Sequence, residues 1–101
     1  MPAAAFDAAR VLGERVLTER QRVGITQMDV ANLAGINVAH YGRIERGMGN
    51  PNMETLVRLA GVLGVDPGDF LRGMTVDQLP ASRVSYSAAD YIRERELRSR
   101  R

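Results

Sequence analysis

The sequence predicts an all-α fold: a compact five-helix bundle followed by a C-terminal extension. Three observations carry that expectation. Leu, Val, Ile and Ala recur at three- and four-residue spacing along the first seventy or so residues. Capping residues or proline open successive stretches and glycine closes them. No room is left in that span for a sheet.

Composition sets the outer bounds. A chain of 101 residues makes one domain and at most an appendage. Hydrophobic residues make up 45% but aromatics only 5%, with no Trp, so the core must be built from Leu, Val, Ile, Ala and Met. The absence of Cys excludes disulfides and thiolate metal sites, and a single His cannot assemble a metal centre of its own. The first ten residues have neither a basic n-region nor a long apolar run, and no segment approaches ~18 consecutive apolar residues. The expectation is a soluble, cytoplasmic protein with no membrane partner and no cofactor. No nucleophile–base pair and no paired carboxylates beside an evident cleft appear, so an enzyme is not expected. Gly47, Met48 and Gly49 imitate the start of a nucleotide-binding loop, but Asn52 stands where the third glycine belongs and no strand precedes it.

The net charge of +2 hides an asymmetry, and every basic side chain is Arg. Residues 1–73 hold eight Arg and eight acids, whereas 74–101 hold six Arg and four acids. Bulk charge therefore gives a nucleic-acid partner little support, and local placement has to carry that case.

Residues 6–22 read as the first helix, with Ala9, Leu12, Val16 and Val23 near helical spacing. Asp7 suits the positive end of its dipole, Arg20 and Arg22 the negative end, and Gly24 stops it. Gly13 costs about 1 kcal/mol against Ala in a helix interior, which predicts fraying of the first turn. Thr26 is placed to cap a second, two-turn helix on the stripe Val30, Ala31 and Ala34, ended by Gly35. Ile36 re-enters the core and Asn37 caps a third helix over 38–46, whose Tyr41 and Ile44 face inward. Val38, Ala39, Gly42, Arg43 and Arg46 are left on its outer face, with His40 at the border. Two short helices, a glycine turn and one presented face describe a helix-turn-helix.

Pro51 and Asn52 open a fourth helix, 53–63, with the stripe Leu56, Leu59, Ala60 and Leu63. Asp66 and Pro67 start a fifth that buries Phe70 or Leu71. Beyond Gly73 the character changes. Residues 75–78 have capping-box spacing, 83–86 alternate like a short strand, and Ser87 opens a last helix with the stripe Ala88, Tyr91 and Ile92. Its charged end is expected to fray.

Residues 12–73 resemble the Cro/C1-type (phage-repressor-like, XRE) helix-turn-helix family of bacterial and phage transcription regulators. The resemblance rests on Thr26 and Gln27, Ala31, Gly35, the run Ile44, Glu45, Arg46, Gly47, then Pro51, and Leu59 and Ala60 before Leu63, Gly64 and Val65. It implies a domain over 1–73 with a recognition helix at 38–46 in the major groove of double-stranded DNA. Val38, Ala39, His40, Gly42 and Arg43 would face base edges, Arg43 as the clearest reader because a guanidinium can bridge guanine O6 and N7. Thr26, Gln27, Asn37, Arg46 and Asn50 complete the implied DNA contacts, Gln27 at a helix start suited to phosphate. The family often pairs the Glu of its closing motif with an Arg of the first helix, here Glu45 with Arg20. It usually has an aliphatic residue where Tyr41 stands and a small polar or charged one where Gly42 stands. Few polar side chains on the reading face imply modest base discrimination and more reliance on phosphates and DNA shape.

The extension over 74–101 is expected to serve assembly. A four-residue strand needs a partner, and Val84 and Tyr86, with Tyr91 and Ile92, could pair with a second copy as a homodimer suited to a pseudo-palindromic site. Folding back on the bundle is the competing reading. Three functions are open at this point. They are a sequence-specific regulator acting as a repressor, an antitoxin-like protein whose C-terminal segment binds a toxin while the helix-turn-helix controls its own operon, and an adaptor that has lost DNA.

Overall fold

The computed structural model describes residues 5–80 and 87–100. Its helices are α1 (Asp7–Val23), α2 (Gln27–Ala34), α3 (Val38–Glu45), α4 (Met53–Leu63), α5 (Pro67–Leu71) and α6 (Ala88–Ser99), with a single 3-10 turn at Val76–Gln78. The described residues are all-helical. The expected strand over 83–86, with Val84 and Tyr86, lies outside them.

Local chemistry sets most boundaries. Thr26 Oγ1 accepts from the Asp29 N–H while the Asp29 carboxylate accepts from the Thr26 N–H, a reciprocal cap that satisfies two orphan donors. Gly35, in the left-handed region at φ 71°, ends α2, and the following Ile36 N–H returns to Ala31 O. Asn52 caps α4 through the Thr55 N–H, and Asp66 with Pro67 at the first helical position starts α5.

α1–α5 share one core. Leu12 and Val16 of α1, Val30, Ala31 and Ala34 of α2, Tyr41 and Ile44 of α3, Leu59, Ala60 and Leu63 of α4, and Phe70 of α5 form a single buried cluster. α1 packs on α3, α4 and α5, while α2 packs on α3 and α4. Phe70 is the buried member of the α5 pair, and Leu71 is half exposed. Val23, expected in the α1 stripe, is exposed beside the Gly24 cap. Met74 packs against the core, and Leu79 lines an apolar cleft with Phe6, Leu56 and Leu71, so the chain continues on the bundle past Gly73.

Two expectations are corrected. α1 is helical from Asp7, and Gly13 is buried rather than weakening a loose end. A Cβ on Gly13 would stand 2.6 Å from the carbonyl oxygens of both Ile44 and Glu45, so the missing side chain is what lets α1 cross the end of α3. The charged end of α6 does not fray before Ser99. Ser87 caps the helix through the Asp90 N–H, and Arg98 pairs with Glu94 one turn back. α6 has no buried residue and leaves Tyr91, Ile92 and Leu97 exposed.

Candidate nucleic-acid interface

The site is assembled by the turn between α2 and α3. Gly35, Ile36 and Asn37 connect the helices, and the Asn37 Oδ1 accepts from the N–H groups of Ala39 and His40 at 2.8 and 3.2 Å. Asn37 thus spends its carbonyl oxygen on capping α3, which leaves only its amide nitrogen for any outside contact. Tyr41 and Ile44 are fully buried and fix the rotation of α3 about its axis. Val38, Ala39, His40 and Arg43 are consequently exposed together on one face. Arg46 is exposed just past the end of that helix, as its C-cap, and Gly47 in the left-handed region at φ 76° turns the chain away towards Asn50.

Gly42 is a correction. Helical spacing places it on the outer face, but it is buried beneath side chains, with Arg46 Nη1 3.0 Å and Gln27 Oε1 3.7 Å from where its Cβ would lie. The face is the expected one, and two long neighbours fold over the bare backbone there.

Below the exposed face lies a polar network that locks α1, α2 and α3 together. Arg20 meets Glu45 with two parallel bonds, Nε to Oε2 at 2.7 Å and Nη2 to Oε1 at 2.8 Å, and its Nη1 donates to Ile25 O at 2.9 Å. Gln27 Nε2 also donates to Glu45 Oε1, at 3.1 Å. Gln27 is therefore half-buried with its nitrogen occupied, and its Oε1, like the Arg46 guanidinium, lies over Gly42. Burial by itself would raise the Glu45 carboxyl, but the bonds from Arg20, aided by the Tyr41 hydroxyl dipole and Gln27, outweigh it and hold the group below the ordinary carboxylate range. Burial, and then the Glu45 carboxylate, push the Tyr41 phenol well above its ordinary value. Close as it is to Glu45, the buried Tyr41 hydroxyl makes no hydrogen bond of good geometry.

Electrostatics separates this face from the rest of the bundle. Six of the eight arginines in residues 1–73 are engaged: Arg10 with Glu14, Arg20 with Glu45, Arg22 with Glu19, Arg58 with Glu54, Arg72 with Asp69, and Arg15 on the Asp69 and Phe70 carbonyls. Among the described residues Arg43 and Arg46 make no ion pair, and both stand on the presented face. The near-neutral total thus conceals two free cations placed side by side. This pairing pattern is the one feature of the site that a count of charges could not find. Among the described residues, no group of acids and His could hold a metal ion, and no helix is long and apolar enough to cross a membrane.

Known proteins are similar to this chain in sequence and fold. The chain is 40% identical over 63 residues to the HTH-type transcriptional regulator DdrOP3 of Deinococcus deserti, covering 62% of this chain and 49% of that protein. The chain spans about half the length of the curated relatives it matches. Among solved structures it resembles the restriction-modification controller protein C.AhdI from Aeromonas hydrophila, with a TM-score of 0.60 and 27% identity over 61% of this chain and 94% of that one. It also resembles the P22 c2 repressor, solved in complex with a synthetic operator, with a TM-score of 0.59 and 28% identity over 62% of this chain and 96% of that one. A helix-turn-helix family model matches residues 16–70. With more than half of its residues in that match, the chain belongs to the helix-turn-helix family of Cro/C1 (XRE) type.

Proposed function

We propose that this protein is a sequence-specific DNA-binding transcription regulator, acting as a repressor, with α3 as the helix that enters the major groove. The observation that carries the reading is the exposed face of α3, where Arg43 and Arg46, the two arginines of the bundle engaged by neither an acid nor a carbonyl among the described residues, stand among small side chains. Arg43 reads a base edge there, bidentate on guanine. Val38 and Ala39 give apolar contact to a thymine methyl, and His40 contacts a base or phosphate. Arg46, the Thr26 and Gln27 start of α2, Asn37 through its amide nitrogen and Asn50 hold the sugar-phosphate backbone. Residues 1–73 form the reading domain. The likeness to the P22 c2 repressor, solved in complex with a synthetic operator, supports the same docking here. The function asks for no catalysis and places the protein in the cytoplasm with the DNA it controls.

The extension over 74–101 joins two copies, so that the paired recognition helices address a pseudo-palindromic site about one helical turn apart. The exposed Tyr91, Ile92 and Leu97 of α6 support that role, because α6 buries none of them among the described residues.

Selection of bound duplexes from a random pool, followed by anisotropy titration across salt, tests the reading. Affinity for the selected site falls steeply as salt rises, because bound phosphates release counterions. Arg43→Ala costs about 1–3 kcal/mol on the selected site and spares most non-specific binding. Equal losses on both would reduce Arg43 to a phosphate contact, and no enrichment in the pool would remove the regulator reading. Sedimentation of the full chain beside one ending at Gly73 tests the assembly, which fails if both are monomers at micromolar concentration.

A further inference from the structure

Gly42 sits in mid-helix, where glycine is disfavoured relative to alanine, yet neither a positive φ nor a close neighbouring backbone requires it. A Cβ there would meet only side chains, Arg46 Nη1 at 3.0 Å, Gln27 Oε1 at 3.7 Å and Arg46 Cζ at 3.8 Å. Gly13 and Gly49 differ, since an added Cβ would strike backbone at Gly13, and at Gly49 would strike Ile44 Cγ1 and crowd the Ile44 backbone.

We propose that Gly42 is a positioning residue, the notch into which the Arg46 guanidinium folds so that it lies beside the Gln27 amide oxygen and meets a DNA phosphodiester at the junction of α2 and α3. The inference rests on the DNA-binding reading above and adds to it why this helix carries a glycine. Among the described residues Arg46 has no acidic partner to hold it, so its location depends on shape. Reaching back one turn, its guanidinium comes within contact distance of the Gly42 position while the residue stays exposed. Gln27 contributes from the other side. Its nitrogen is tied to Glu45 by the 3.1 Å bond, and its oxygen lies towards the notch. The chain Arg20, Glu45, Gln27 thereby sets one wall of the notch from α1, and the bare Gly42 backbone supplies the floor. A guanidinium stationed there loses less freedom on meeting a phosphate than one swinging free.

Four variants of the full chain test this: Gly42→Ala, Gly42→Leu, Arg46→Ala, and Gly42→Leu combined with Arg46→Ala. Each is titrated by anisotropy against a short mixed-sequence DNA duplex over a range of salt, and each is melted by circular dichroism. Gly42→Leu is expected to melt at or above the wild-type temperature, because helix propensity improves. Its duplex affinity is expected to fall about three- to ten-fold, with Gly42→Ala in between. Its log–log salt slope is expected to drop by about 0.9, as for Arg46→Ala, the signature of one phosphate lost. In the Arg46→Ala background Gly42→Leu should cost nothing more.

The inference is overturned if Gly42→Leu binds like wild type at every salt concentration. It is equally overturned if Gly42→Leu weakens binding further without Arg46, since the new side chain would then be obstructing DNA directly. A wild-type chain with no salt-dependent duplex binding would instead remove the proposed function itself, and that outcome is distinct from either of these.

Discussion

Replacing Glu45 with Ala should be among the most damaging single changes to this protein. The Glu45 side chain is only 4% exposed and Arg20 17%. The carboxylate takes two bonds from Arg20 and one from Gln27. Removing it leaves a guanidinium largely out of water with one remaining partner, Ile25 O, and strands the Gln27 nitrogen as well. Breaking a buried pair from one side costs about 3–5 kcal/mol. Native domains are stable by only about 0.05–0.15 kcal/mol per residue, so the loss consumes a large part of the total. For a bundle of this size it corresponds to a fall in Tm of about 12–40 °C. Urea unfolding followed by circular dichroism near neutral pH measures it. Removing both charges, as Arg20→Met with Glu45→Leu, should recover most of the loss, because the damage comes from the unpaired charge and not from the missing attraction. A cost for Glu45→Ala below about 1 kcal/mol would refute the reasoning, since that is the worth of a surface pair.

Four further outcomes follow from the same structure. Glu45 is held below its ordinary value of 4.5, so the unfolded chain binds its proton first; the stability it contributes is complete above about pH 4.5 and is lost as pH falls through the folded value. Acid titration of stability should therefore be shallower in Glu45→Gln than in wild type, and equal slopes would contradict this. Gly13→Ala should destabilise by about 1–3 kcal/mol despite the better helix former, because its Cβ meets two carbonyl oxygens at 2.6 Å. Gly61→Ala, in α4 with nothing within 4 Å, should stabilise by about 0.5–1 kcal/mol, and parallel denaturation curves compare the two. Tyr41→Phe should change stability by no more than about 1 kcal/mol in either direction, since the hydroxyl lies close to Glu45 but makes no hydrogen bond of good geometry; a larger loss would show that it is bonded in solution.

Element identity is legible along the chain because it is written in local chemistry. Thr26, Asn37, Asn52, Asp66 and Ser87 each cap a backbone N–H within three residues of themselves, and Gly24, Gly35 and Gly64 each end a helix in the left-handed region. The inward residues of α3 are legible too, since Tyr41 and Ile44 at three-residue spacing must share a face. Gly13 and Gly42 are not. Both look like weak points in a helix, and only what lies across from them distinguishes a crossing point from a notch. Charge misleads for the same reason: eight arginines against eight acids give no hint that six are engaged and two are free.

The sequence alone determined an all-helical bundle, its helix boundaries and the face that α3 presents, since caps, glycine stops and periodicity act over a single turn. The tertiary structure decided which charges cancel, which glycine admits a neighbouring helix and which admits a side chain. Those depend on approaches of a few ångströms between residues such as Gly13 and Ile44, or Arg20 and Glu45, that lie far apart along the chain.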